Sequence, residues 1–164
     1  MPETVICDTS PIFYLYRLRQ LDLLKRLYGV IVVPQPVIDE LEQGGAEGED
    51  VPELATYPWI QVKSVCIPRV ITLVTDLGPG EASVLTLALE LPDVLVILDD
   101  LLARRIAELQ GLRITGTAGV LLKAKQQGYV EAIAPIIQQL VNLGFRISNR
   151  LQQDILRLAG ESHD

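Results

Sequence analysis

The run Val94 to Leu98 is apolar at every position and stops against Asp99 and Asp100. A strand written this way offers no face to water, so it belongs inside a parallel sheet covered on both sides. Two further runs repeat the pattern: Val5-Ile6-Cys7 stops at Asp8, and Val30 to Val33 stops at Pro34. Between them the apolar period changes to a helical one. Leu15, Leu18, Leu21, Leu24 and Leu27 predict a helical stretch opened by Ser10-Pro11, with a break near Gln20. A short helix is expected over 36–43, a loop from Gly44 to Pro58, and an alternating strand over 59–63. A helix over 68–76 is one reading of an ambiguous segment.

The second half reads more clearly. A helix from Gly80 to Leu89 is apolar nearly all round and is expected to be buried. Helices follow over 101–109 and over 117–126, the latter capped by Thr117, with a short strand at Leu112 to Ile114 between them. Two more apolar stripes, Ile133 to Val141 and Ile147 to Leu158, predict C-terminal helices. Strands alternating with helices give an α/β fold around a parallel sheet. With 164 residues the chain reads as one domain, residues 130–160 forming a helical extension and 161–164 a disordered tail.

Composition removes several classes. Hydrophobic residues are 49% and charged residues 21%, so disorder is excluded for most of the length. No apolar run approaches the ~20 residues of a spanning helix, and Asp8 interrupts any signal peptide, so a soluble cytoplasmic protein is expected. Two cysteines and one histidine cannot build a disulfide scaffold or a Cys/His zinc site. The net charge of −7 argues against a broad basic nucleic-acid surface.

The acids are where the chemistry gathers. In open parallel sheets ligands bind outside the carboxyl ends of the strands. Asp8 ends the first strand, and Asp99 and Asp100 end the fully apolar one. Glu40 lies in the helix after the second strand, and Glu81 in the first turn of the buried helix. Carboxylates gathered at one edge repel unless a hard divalent cation neutralises them. Each has an ordinary alternative: Asp8 as a turn residue, Glu40 on a solvated face, Glu81 against the helix dipole, one of Asp99 and Asp100 as an N-cap. Together they favour a metal site. No dinucleotide fingerprint, Walker sequence or histidine-based triad competes, and Cys7 and Cys66 read as packing residues. Aromatic residues at 5% are too few for a stacking array.

The segments Asp8-Thr9-Ser10-Pro11, Pro34-Gln35-Pro36-Val37-Ile38-Asp39-Glu40-Leu41, Gly78-Pro79-Gly80-Glu81 and Leu98-Asp99-Asp100, in this order, resemble a PIN domain. The closest likeness is to the prokaryotic branch related to the VapC-type toxins, and it covers nearly the whole chain. The resemblance implies a three-layer sandwich with a central parallel sheet flanked by helices. It also implies a ribonuclease that uses Mg²⁺ or Mn²⁺ to hydrolyse RNA phosphodiester bonds. Carried across, Asp8, Glu40, Glu81, Asp99 and Asp100 are the catalytic acids, with Asp8, Glu81, Asp99 and Asp100 as metal ligands. Glu81 stands where many PIN domains have Asp. Either Asp99 or Asp100 fills the fourth acidic position.

Ser10, Arg104, Arg105 and Thr117 are candidate RNA contacts, and Arg113, Lys123 and Lys125 could extend Arg104 and Arg105 into a basic rim. The resemblance further implies a toxin–antitoxin pair, with a small antitoxin protein as partner. The stripes after Ile133 suggest a homodimer. Other readings are a PIN-like binding module without turnover and a different Mg²⁺-dependent phosphoryl-transfer enzyme.

Overall fold

The computed structural model describes the backbone of residues 1–74 and 76–161, with side chains of residues 72–74 outside the description. The strands are β1 (Thr4–Cys7), β2 (Ile31–Pro34), β3 (Ile60–Lys63), β4 (Val94–Ile97) and β5 (Arg113–Thr115). All pair in parallel in the order β3-β2-β1-β4-β5. The first strand therefore sits at the centre. The chain builds outward through β2 and β3, then crosses back to add β4 and β5. That reversal makes the carboxyl ends of β1 and β4 the switch point of the sheet, where a crevice opens.

The expected break near Gln20 is real. α1 (Thr9–Arg17) and α2 (Asp22–Tyr28) are separate helices, with Arg19 in the left-handed region between them (φ 58°). α3 runs Gln35–Ala46, past the expected loop boundary at Gly44. Gly44 and Gly45 lie in its last turn, where the missing side chains leave room for Glu49 and Val51. A 3-10 turn at Leu54–Thr56 precedes β3, and α4 covers Arg69–Val74. α5 (Pro79–Glu90) buries every residue from Ala82 to Ala88. α6 (Leu101–Leu109), α7 (Thr117–Gln126), α8 (Ala134–Asn142) and α9 (Asn149–Leu158) complete the chain.

Helices α3, α5 and α6 pack on one side of the sheet, and α1, α2 and α7 on the other, with α9 against α7. This is a three-layer α/β sandwich. Its centre is fully buried along Ile6, Ile97 and Leu98. Burying such a side chain contributes roughly 1.5–3 kcal/mol, so the strands carrying the acids are the best-anchored part of the molecule.

The C-terminal helices correct two expectations. The α8 stripe is not left for a partner, since Ile133, Ile137 and Leu140 are buried within the chain. Glu161, expected in a loose tail, instead accepts hydrogen bonds from the Ile133 and Ala134 amides at 2.8 Å and 3.0 Å. It satisfies donors that the start of α8 would leave open. The rest of that tail, residues 162–164, lies outside the described residues. No helix among the described residues is long and apolar enough to cross a membrane.

Candidate metal centre

Asp8 follows directly on β1. Its backbone continues the sheet, with the Asp8 amide donating to the Ile97 carbonyl at 3.0 Å. The side chain does not cap α1, as a turn-forming aspartate would. It is 3% exposed, and its Oδ1 has no hydrogen-bond partner. Burial pushes its carboxyl up to about 8, and Glu81, Glu40 and Asp99 push the same way against a hydrogen bond from the Thr9 amide. A buried carboxylate without a partner is costly and needs a compensating charge.

The other acids arrive around it. Asp8, Glu40, Glu81 and Asp100 line one open pocket of about 370 Å³, together with Thr9, Ser10, Phe13, Tyr14 and Glu49. Glu40 is held at both oxygens: Thr9 Oγ1 donates to Oε2 at 2.6 Å and the Gly80 amide to Oε1 at 2.7 Å. This explains Gly80, because a Cβ there would stand 2.6–2.8 Å from the Glu40 carboxyl group. Gly78 is similarly constrained, its Cβ position lying 2.7 Å from Glu81 Oε2. The segment Gly78-Pro79-Gly80 is thus a seat for two glutamates. Burial raises the Glu81 carboxyl, with Glu40 and Asp100 adding to the effect.

Asp99 and Asp100 divide the work. Asp100 caps α6, its Oδ2 accepting from the Ala103 amide at 2.9 Å. Asp99 is bound at both oxygens, by the Thr117 amide on Oδ1 (2.8 Å) and by the Ser10 and Thr117 hydroxyls on Oδ2 (2.7 Å each). Four acids expected at the site therefore share the pocket, while Asp99 ties α1 and α7 to the end of β4.

The expected nucleic-acid contacts need correction. Thr117 is fully buried and its hydroxyl serves Asp99, so it neither reaches a substrate nor caps α7; Gly116 is the N-cap. Ser10 lines the acid pocket and bonds Asp99, and α1 starts one residue before it with Asp8 at the N-cap position. Arg104 donates to the Leu98 carbonyl at 2.9 Å beside Asp99, and Arg105 is exposed on α6. The wider basic rim does not exist. Arg113 pairs with Asp93, Lys123 lies over Tyr28, and Lys125 meets Glu161, all toward the amino-terminal edge of the sheet.

Three residues take places that the sequence did not assign them. Glu49 joins the acid pocket from the loop after α3; its one signal was the Gly44-Gly45 pair that lets it fold back. Phe145 and Arg146 line a neighbouring groove; the tail Gly144-Phe145-Arg146-Ile147-Ser148 resembles the same family branch but carries no assigned role. Cys7 is buried beneath the site, where burial, Asp8 and Asp99 raise its thiol well above the usual range, so it packs as a neutral group.

Among the described residues, no three His, Cys, Asp or Glu side chains are already drawn together as a closed metal cluster. Mg²⁺ does not require one, since it keeps several waters and is commonly held by one or two carboxylates. The donor set is all oxygen, as hard cations prefer. The unpartnered Asp8 Oδ1 supplies a vacant ligand atom. The residues fit a hard divalent cation.

A three-layer sandwich with acids at the switch point of a five-stranded parallel sheet defines a class of acidic-site α/β protein. A family model described as a PIN domain matches residues 4–161. The chain belongs to the PIN-domain family. PIN domains are generally nucleases that use divalent metals, which gives this chain a general nuclease assignment and a nucleic acid as its class of substrate. No curated protein matches the chain.

Proposed function

We propose that the chain is a Mg²⁺- or Mn²⁺-dependent ribonuclease acting from the pocket around Asp8. One observation carries this reading: Asp8 is buried, unpartnered at Oδ1, and faced by further carboxylates. Among the described residues no cationic side chain meets that carboxyl, and a divalent cation would let it ionise.

Asp8 and Asp100 Oδ1 are the atoms left to hold the cation, with Glu81 beside them. When bound, it supplies Lewis-acid polarisation of the phosphoryl group and offsets the charge that develops there. Glu40, fixed by Thr9 and Gly80, has its carboxylate oriented before substrate arrives. Glu81, in the lining of the same pocket, is placed to take a proton from an attacking water. Asp99 acts through its neighbours, holding α1 and α7 so that Asp8 and Asp100 keep their places.

The biological role we infer is that of the toxin in a toxin–antitoxin pair. The antitoxin, and a second copy of the chain, would meet the exposed leucines at the far ends of α6 and α9, Leu109 and Leu158. The test of the activity is cleavage of single-stranded RNA with Mn²⁺, Mg²⁺ or EDTA, by wild type and Asp8→Asn, with single-stranded DNA in parallel. Cleavage that needs the cation and Asp8 supports the reading. RNA left intact in both metals overturns it, and cleavage of DNA alone overturns the ribonuclease part.

A further inference from the structure

Beside the acid pocket lies a second concavity of about 460 Å³, enclosed by α6, the start of α7, the segment 145–147 and α9. Asp99 forms part of its wall, and through the Ser10 hydroxyl Asp99 is one hydrogen bond from the acid pocket. An aromatic chain also links the two. Phe13 and Tyr14 line the acid pocket, and Phe145 lines the groove while packing edge-on against Tyr14, ring centres 5.2 Å apart. Both phenylalanines of the chain thus stand along one line from acid centre to groove.

The lining has two characters. Ile114, Phe145, Ile147, Leu151 and Ile155 make much of the lining apolar, and Leu151 is 48% exposed. Arg104 and Arg146 add two cationic groups to the same lining. Arg104 is steadied by the Leu98 carbonyl and fits closely over Gly116, where a Cβ would stand 2.9 Å from its Nη1. Arg146 is exposed and has no ion pair among the described residues. In a chain of net charge −7, these two guanidiniums lie beside a pocket of five acids.

We propose that this groove holds a nucleotide next to the scissile phosphate of a single-stranded nucleic acid. Arg104 and Arg146 take its phosphate, and its base lies against Phe145, Ile147 and Leu151. The inference rests on the nuclease reading for which phosphate is cut, while the groove's chemistry stands on its own lining. An acidic centre repels an approaching polyanion, so strand binding has to be supplied beside it. Guanidiniums match phosphate geometry, and an apolar wall with an aromatic ring accepts any base face.

The test separates the two characters of the lining. A fluorescein-labelled eight-nucleotide single-stranded RNA is titrated by anisotropy into Asp8→Asn protein, which serves as the uncleaving background. Adding Arg146→Ala should weaken binding about tenfold and flatten the salt dependence by about 0.7 in log–log slope, the loss of one phosphate contact on a single strand. Adding Leu151→Ala should weaken binding several-fold and leave the slope unchanged. Lys25→Ala, on α2 toward the other edge of the sheet, should change neither by as much. Thermal melts of each variant check that the fold is kept.

Unchanged affinity and slope in Arg146→Ala would overturn the proposal, as would a groove whose occupant is a protein segment, since both groove variants would then bind RNA like the background. Cleavage by the wild type is scored separately. Arg146-dependent binding without cleavage keeps the groove and removes the nuclease reading. Cleavage with Arg146-independent binding does the reverse.

Discussion

The Ser10 hydroxyl donates to Asp99 Oδ2 at 2.7 Å across 89 residues of sequence. A side chain that reads as a helix cap or a substrate contact is in fact a fastener between α1 and the end of β4. Thr117 fastens α7 to the same carboxylate with its amide and hydroxyl. Three elements around the acid pocket therefore hold their positions through one aspartate.

Removing the fasteners should reveal their unequal weight. Ser10→Ala loses one hydrogen bond at a half-buried site and should cost about 1 kcal/mol. Asp99→Ala strands the Thr117 hydroxyl, which has no access to water, and should cost about 2–3 kcal/mol. Urea unfolding of the two variants checks the order. Equal losses would show that Asp99 does not carry the Thr117 contacts.

Asp8 makes metal-free stability depend on pH. Its folded carboxyl is pushed from 3.8 up to about 8, so the folded state binds this proton more tightly than the unfolded chain does. That contribution is complete below about pH 4 and is lost as pH rises toward 8. Asp8→Asn has no such proton, so in EDTA it should melt higher than wild type at pH 8, by ~1–3 kcal/mol, and lose this advantage toward pH 4. Saturating Mn²⁺ should reverse the order by stabilising wild type, by about 2.7 kcal/mol at a hundredfold excess over Kd. An equal metal response in both proteins would remove Asp8 from the ligand set.

Gly80 should be intolerant of any side chain. In Gly80→Ala the new methyl meets the Glu40 carboxyl group, which must give up its bond from the residue 80 amide. We expect a stability loss of about 1–3 kcal/mol and at least a tenfold fall in nuclease activity. Full activity in Gly80→Ala would mean that Glu40 need not sit where the structure holds it.

Glu161→Ala tests the C-terminal anchor. The amides of Ile133 and Ala134 would lose their acceptor, and Lys125 its carboxylate partner at 3.6 Å. A loss of about 1–2 kcal/mol is expected, read as earlier exchange of amide hydrogens in α8. Unchanged protection there would mean that the helix start is held without it.

What the sequence discloses, and what it hides, follows from how each residue reaches the site. Asp8, Asp99 and Asp100 announce themselves because an apolar run ends on each. A strand buried on both faces has few alternatives, and its last residue has only one place to go. Glu40 and Glu81 need the helices to be placed first, and the seat of Glu40 at Thr9 and Gly80 is made of contacts across 31 and 40 residues. The division between Asp99 and Asp100 was not legible, since adjacent residues share every local signal and only Ser10 and Thr117 distinguish them. Glu49, Phe145 and Arg146 carry no readable role for a different reason. They lie in connecting segments whose course is decided by tertiary packing, where no period reports on direction.

Cys7 pairs with Ile97 in the β1–β4 ladder, and the chains run on side by side into Asp8 and Leu98-Asp99. The interval between these strand-end acids is thus set by the backbone spacing of the sheet, which is nearly the same in every parallel sheet. Glu40 and Glu81 ride on helices, whose distance from the sheet depends on the side chains packed between them. The backbones of strand-borne acids are held at a fixed interval by that spacing. Helix-borne acids can lengthen when their helix stands farther off. Glu81 thus reaches the pocket from a helix whose packing sets its distance, while Asp8 is held at the pitch of the sheet, so one half of the centre is a ruler and the other is adjustable.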